Sequence, residues 1–315
     1  MKVIGLTEFG AASVLRPLEV PQRSAGAGEV RIRVRAAAVN PVDAIIRSGG
    51  FAGGGLRPDG PVVPGMDVAG TIEEIGPDQP AGSDLGLGDA VTGFVVPNGS
   101  HGGYSEAIVL PALSVTRMPA SGGYAEGASF LSNALTAEIT LEHLALAPGQ
   151  TLAVTGATGA VGGYLVELAV RRGLRVIADA RSGEASRVRA LGAEVVLDRD
   201  DDFVQGVLSA TGGVGADALA DPAILADRVV GAVREGGQVA FYLPNDVDPG
   251  RGIRVFASYV MGSSLRHDAI DRLARAVERG ELSTSVADLV PADQAAAAHE
   301  RLERGGFRGR LVLKF

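Results

Sequence analysis

The stretch TGATGAVGG, Thr155–Gly163, constrains the fold of this chain more than any other. It follows a short apolar run, TLAVTG (Thr151–Gly156), that reads as a buried strand. It opens Ala160–Arg172, where Val161, Leu165, Leu168 and Ala169 share one helical face. Arg171 and Arg172 complement the dipole at the end of that helix, and Gly173 stops it. A glycine-rich turn between strand and helix is a dinucleotide fingerprint, here spaced G-x-x-G-x-x-G at Gly156, Gly159 and Gly162. Gly156 and Gly159 permit a tight turn with close backbone approach, and Gly162 lets the helix pack on the strand. The N–H groups of Ala160, Val161 and Gly162 would then face a pyrophosphate, with Thr158 in the same turn. An ordinary βα turn can carry the same glycines, so the flanking pattern decides.

That pattern alternates. Strands are predicted at Arg175–Ala180, Glu194–Leu197, Ala216–Ala220 and Gln238–Leu243. Between them fall helices at Glu184–Leu191, Phe203–Ala210 and Ile224–Arg234. The alternation predicts an α/β fold with a doubly wound parallel sheet. Ala128–Leu146 has helical spacing, and Arg254–Gly262 reads as a last strand.

The N-terminal part differs. Glu29–Val39, Val68–Gly76, Asp89–Val95 and Tyr104–Leu110 are short alternating strands punctuated by glycine and proline, which predicts a small barrel or sandwich. The glycine-rich Ser48–Pro61 reads as a mobile loop, either plain surface or a lid beside a ligand. Near the C-terminus, Asp268–Glu278 and Pro291–Glu303 read as helices and Arg310–Phe315 as a strand.

Composition removes whole classes of chemistry. The net charge of −8 disfavours nucleic acid or an anionic membrane as partner. With no cysteine there is no disulfide, thiolate zinc site or cysteine nucleophile. The four histidines form no close pair at ligand spacing, so no metal site is expected. Glu8 interrupts the start of the chain and no apolar run reaches spanning length, so a soluble cytoplasmic protein is expected.

Which dinucleotide binds is left open by the residues alone. Asp179 follows Gly156 by 23 positions, the separation of an acid that would hold an NAD ribose. Arg181 and Ser182 come next, and a guanidinium suits a 2′-phosphate, with Arg187 in reserve.

Several motifs in order resemble the medium-chain dehydrogenase/reductases, in their zinc-independent quinone oxidoreductase branch. They are VNPVDAIIRSG (Val39–Gly49), PVVPGMDVAGTI (Pro61–Ile72), GDAVTGF (Gly88–Phe94), GGYSE (Gly102–Glu106), LTAEITL (Leu135–Leu141), GATGAVGG (Gly156–Gly163) and GFRGRLVL (Gly306–Leu313). The resemblance implies a GroES-like β-barrel substrate domain from residues 1–118 and 264–315, a Rossmann domain at 119–263, and a cleft between them. It places Asn40, Met66 and Ser132 where zinc-dependent relatives hold their ion, and none is a good zinc ligand. It places Ala180 at the ribose-acid position, Arg181 at the serine and Glu184 at the lysine of the NADPH-using branch. Arg181 and Ser182 then stand in for that lysine, which favours NADPH over NADH. By the same resemblance Asn40, Thr136 and Phe241 lie by the cofactor, Ile45 and Phe51 take aromatic substrate positions, and the chain pairs as a homodimer through Arg254–Gly262.

A site without metal or thiol suits an acceptor that is already electron-poor. A quinone or enone delocalises arriving charge onto its own oxygen and needs one hydrogen bond and a proton from solvent. Asn40 and Tyr242 are the candidate donors. The alternatives are a biosynthetic enoyl or enone reductase, whose phosphorylated carrier Arg47 and Arg57 would meet, and an NADPH-binding protein without turnover.

Overall fold

The structure, a computed structural model, describes residues 1–50 and 60–315. Phe51, Arg57 and the middle of the Ser48–Pro61 loop lie outside the described residues. The chain divides into two compact units, Met1–Ser132 with Met261–Phe315, and Asn133–Val260. Residues 119–132 cluster with the first unit.

In chain order the first unit holds β1 (Lys2–Gly5), β2 (Arg16–Glu19), β3 (Glu29–Ala38), α1 (Pro41–Ser48), β4 (Asp67–Ile75), β5 (Ala90–Phe94), β6 (Ala107–Pro111), β7 (Val115–Arg117) and α2 (Tyr124–Gly127). There follow α3 (Leu131–Leu144), β8 (Thr151–Val154), α4 (Ala160–Arg171), β9 (Arg175–Ala180), α5 (Ala185–Ala190), β10 (Val195–Asp198), α6 (Phe203–Ala210), β11 (Ala216–Asp221), β12 (Val233–Phe241) and β13 (Arg254–Ala257). Last come α7 (His267–Glu278), β14 (Val286–Pro291), α8 (Ala295–Arg304) and β15 (Arg310–Lys314).

β3 organises the first unit. Its alternation buries Val30, Ile32 and Val34, and beyond them Ala36, Ala37 and Ala38 are all buried. Register shifts against β4 at Arg31/Ile32 and Val34/Ala36 bend the strand. Its other edge therefore takes β6 along its first half and β15 along its last residues. The result is a curved seven-stranded sheet ordered β14-β15-β3-β4-β5-β7, with β6 added on β3.

The second unit is one parallel sheet ordered β10-β9-β8-β11-β12-β13. Counted from β8 as the first strand, this is the order 3-2-1-4-5-6 of a doubly wound nucleotide fold. The chain reverses its winding between β8 and β11, the point at which such sheets bind ligands. The α/β expectation holds for this unit.

Local expectations fail in four places. Ile224–Arg234 is not a helix: it forms two 3-10 turns, Ala226–Arg228 and Val230–Ala232, and Val233 already belongs to β12. The Asp221 carboxylate captures the N–H groups of Leu225 and Ala226, and Ile224 and Ala226 sit at φ 57° and 55°, outside the helical region. Arg254–Gly262 is a strand only to Ala257. The strand predicted from Tyr104 begins at Ala107, because Tyr104 is held by Pro64 and Ile4 outside the sheet. The missed helix α1 is short, and Pro41 at its first turn was the available signal. Among the described residues no helix is long and apolar enough to cross a membrane.

Candidate functional site

The glycine turn sits at the reversal point of the parallel sheet. Gly156 has φ 64°, and Gly159 N–H returns to its carbonyl at 2.8 Å. A Cβ on Gly162 would lie 2.2 Å from that carbonyl oxygen, so only glycine lets α4 start this close to β8. Gly159 caps α4 without a side-chain acceptor. The first N–H groups of the helix, at Ala160, Val161 and Gly162, have no carbonyl a turn earlier to receive them. They and the helix dipole form a cradle that fits a pyrophosphate, and Thr158 is half-buried beside them.

Thr155 and Asp221 tie the two strand ends across the reversal point. Thr155 Oγ1 donates to Asp221 Oδ1 at 2.5 Å and accepts from Ala223 N–H at 3.2 Å. Asp221 Oδ2 takes Leu225 and Ala226 N–H at 2.7 and 2.8 Å. Burial raises the carboxyl of Asp221 despite these donors. Neither residue stood out in the sequence, although an acid ending β11 was a visible signal.

The end of β9 settles which way Asp179 faces. The residue is buried, and its carboxylate accepts from Ala157 N–H in the glycine turn at 3.2 Å. Arg199, just after β10, clasps it with Nε at 2.7 Å and Nη2 at 3.2 Å. Asp179 is therefore committed beneath the turn, with both carboxylate oxygens bonded. Arg181 and Ser182 are exposed immediately after β9, and Glu184 is half-buried.

Elsewhere in this unit, Tyr242 directs its hydroxyl to Thr140 Oγ1 at 3.1 Å. Thr140 in turn bonds Thr136 O at 2.8 Å and Ser258 Oγ at 2.9 Å. Burial raises the Tyr242 phenol above its ordinary range, which weakens it as an acid. Phe241 ends β12 and packs in the apolar core with Val239, Leu219 and Ile177, so its ring is a core element.

The first unit holds a buried polar centre at one end of β3. Asn40 begins α1, and its N–H is accepted by Asp43 Oδ2 at 2.7 Å. Its amide Nδ2 donates to Asp67 Oδ2 at 3.0 Å, and its Oδ1 accepts from Arg310 Nη2. Asp67 also receives Ser132 N–H at 2.7 Å and Ser132 Oγ at 2.5 Å. Asp43 accepts from Gly65 N–H at 2.9 Å and Tyr104 OH at 3.1 Å, and Tyr104 OH meets His299 Nε2 at 3.1 Å. Burial pushes Asp43 up to about 7, and Asp67 is raised for the same reason. The same cause lowers His299 to about 4.

These residues do not fit a zinc ion. Asn40 and Ser132 are bonded to Asp67, Met66 offers only a thioether, and among the described residues no group of three acids or histidines could hold a metal. Ile45 is half-buried on α1. Arg47 corrects an expectation: it is 4% exposed and paired with Glu303 of α8, so it is not a rim cation.

Known proteins resemble the chain along its whole length. Residues 26–126 match the alcohol dehydrogenase GroES-like domain, and residues 191–313 the zinc-binding dehydrogenase domain. Mycoketide-CoA synthase of Mycobacterium tuberculosis is 30% identical over 329 residues, covering 98% of this chain but 8% of the synthase. Quinone oxidoreductase of Mus musculus is 28% identical over 338 residues, covering 99% of this chain and 97% of that protein. The structure of a mycobacterial protein complexed with NADPH aligns at TM-score 0.85 and 27% identity, covering 100% of both chains. Two domain families in chain order, on a sheet wound 3-2-1-4-5-6, admit one assignment: the chain belongs to the medium-chain dehydrogenase/reductase superfamily.

Proposed function

We propose that this oxidoreductase is an NADPH-dependent reductase of quinones or α,β-unsaturated carbonyls that works without a metal. When bound, NADPH supplies the hydride. The glycine turn holds the pyrophosphate, and Arg181 with Ser182 receives the 2′-phosphate. Asn40 is the hydrogen-bonding group offered to the acceptor oxygen, and solvent supplies the proton. Asn40 is the observation that carries the reading. Arg310 on Oδ1 and Asp67 on Nδ2 fix the orientation of the amide. An oriented amide suffices for an electron-poor acceptor, whereas a saturated ketone demands stronger polarisation. The likeness to a quinone oxidoreductase and to a protein complexed with NADPH supports the reading.

A second reading is a reductase of a biosynthetic enoyl intermediate, favoured by the similarity to mycoketide-CoA synthase over 98% of this chain. One assay separates them. Oxidation of NADPH and NADH is followed with a benzoquinone, a cyclic enone, an enoyl thioester and a saturated ketone. Turnover of quinone or enone with NADPH, and none of the ketone, is expected. Turnover of the thioester alone would transfer the assignment to the second reading. The working form is a cytoplasmic homodimer paired along the free edge of β13.

A further inference from the structure

Arg199 attracts no attention in the sequence, where it is one cation in the run Asp198–Asp202. In the structure it governs the one buried acid at the cofactor end of β9. We propose that Arg199 sets cofactor specificity by acting through Asp179: it pairs with the carboxylate, cancels its charge and so makes this strand end tolerant of a 2′-phosphate. The inference rests on the NADPH reading above and deepens it.

Asp179 is 2% exposed and has both oxygens in use, one on Ala157 N–H and Arg199 Nη2, the other on Arg199 Nε. A buried carboxylate that anchors the glycine turn needs hydrogen-bonding and ionic partners to offset its loss of water. An unpaired carboxylate here would also repel a phosphate dianion within a few ångströms. Arg199 answers both needs. Its own position is set by the sheet: Asp198 is in register with Ala180, and Arg199 N–H bonds Ala180 O at 2.8 Å. It therefore stands alongside Arg181, the residue after Ala180. Its side chain keeps 28% exposure, so the guanidinium is not sealed beneath the turn. The other acids of the run are spent or solvated. Asp198 accepts from Asp200 N–H, and Asp202 caps α6 through Gln205 N–H.

The test uses binding without turnover. Calorimetric titration compares 2′,5′-ADP with 5′-AMP on wild type, Arg199→Gln, Asp179→Asn and the double variant. Wild type is expected to prefer 2′,5′-ADP. Arg199→Gln should lower that preference by about tenfold or more, and adding Asp179→Asn should recover most of it, because the charge that Arg199 cancels is then gone. Arg199→Lys keeps the charge and should hold the preference within about threefold, which serves if the glutamine variant folds poorly. Equal weakening of both ligands in Arg199→Gln, with no recovery in the double variant, would make Arg199 a structural clamp and overturn the inference alone. A wild type that favours 5′-AMP would overturn the NADPH reading and take this inference with it.

Discussion

Asn40 acquires its chemistry from neighbours that are remote in the chain. Arg310 stands 270 residues away and Asp67 stands 27 away, yet together they orient one amide. Replacing Asn40 with Ala is expected to lower kcat by about 100-fold while leaving NADPH affinity nearly unchanged, as for loss of one oxyanion donor. Steady-state kinetics with parallel binding titrations checks this; an unchanged kcat would remove Asn40 from the site. Asp43 gives a prediction about pH. Burial raises its carboxyl from 3.8 to about 7 in the fold. Between those values the unfolded chain has released a proton that the folded chain retains, so Asp43 lowers stability as pH rises. His299 acts oppositely. Its folded value of about 4 lies below the ordinary 6.5, so stability is lost as pH falls through that window. Asp43→Asn removes the first slope. Between about pH 4.5 and 6.5 its unfolding free energy should therefore climb by about 2 kcal/mol relative to wild type. Urea titrations at several pH values give that difference, and a constant offset would refute the assignment.

Elements show where a one-atom change is decisive. Gly162 and Gly163 are adjacent in α4, but their surroundings differ. A Cβ on Gly162 would lie 2.2 Å from Gly156 O and 2.7 Å from Gly156 C, both backbone atoms. On Gly163 the nearest atoms are 3.7 Å away. Gly162→Ala should cost about 3 kcal/mol and weaken NADPH by more than about tenfold, because the turn must open. Gly163→Ala should stabilise by about 0.5–1 kcal/mol through helix entropy. Thermal melts of the pair, with and without NADPH, read both effects; the same response from both variants would show that the close approach is not what Gly162 serves. The Ile224–Arg234 segment marks the limit of periodicity. Its apolar spacing is helical, but Ile224 and Ala226 take φ of 57° and 55° where Asp221 holds the following backbone, so the chain leaves the helical region there.

For the whole molecule the open question is what covers the last strand of the parallel sheet. Among the described residues β13 pairs only with β12; Val255 on it is 45% exposed, and Tyr259, two residues past its end, is 63% exposed. A second copy pairing there would satisfy that edge. Sedimentation should give twice 32.1 kDa, and Val255→Lys should shift the protein toward the single-chain mass. A wild-type species at 32.1 kDa would end the homodimer proposal. Much of the architecture is legible in the sequence, because it depends on local periodicity. Alternating strand and helix signals from Thr151 to Phe241 determined the parallel sheet, and three glycines located the tight turn at its reversal point. The direction of Asp179, the clasp of Arg199 and the Asn40–Asp67–Arg310 centre were decided only by the tertiary structure. Local sequence sets backbone propensity, whereas a side chain's partner depends on register and packing between segments that chain spacing does not encode.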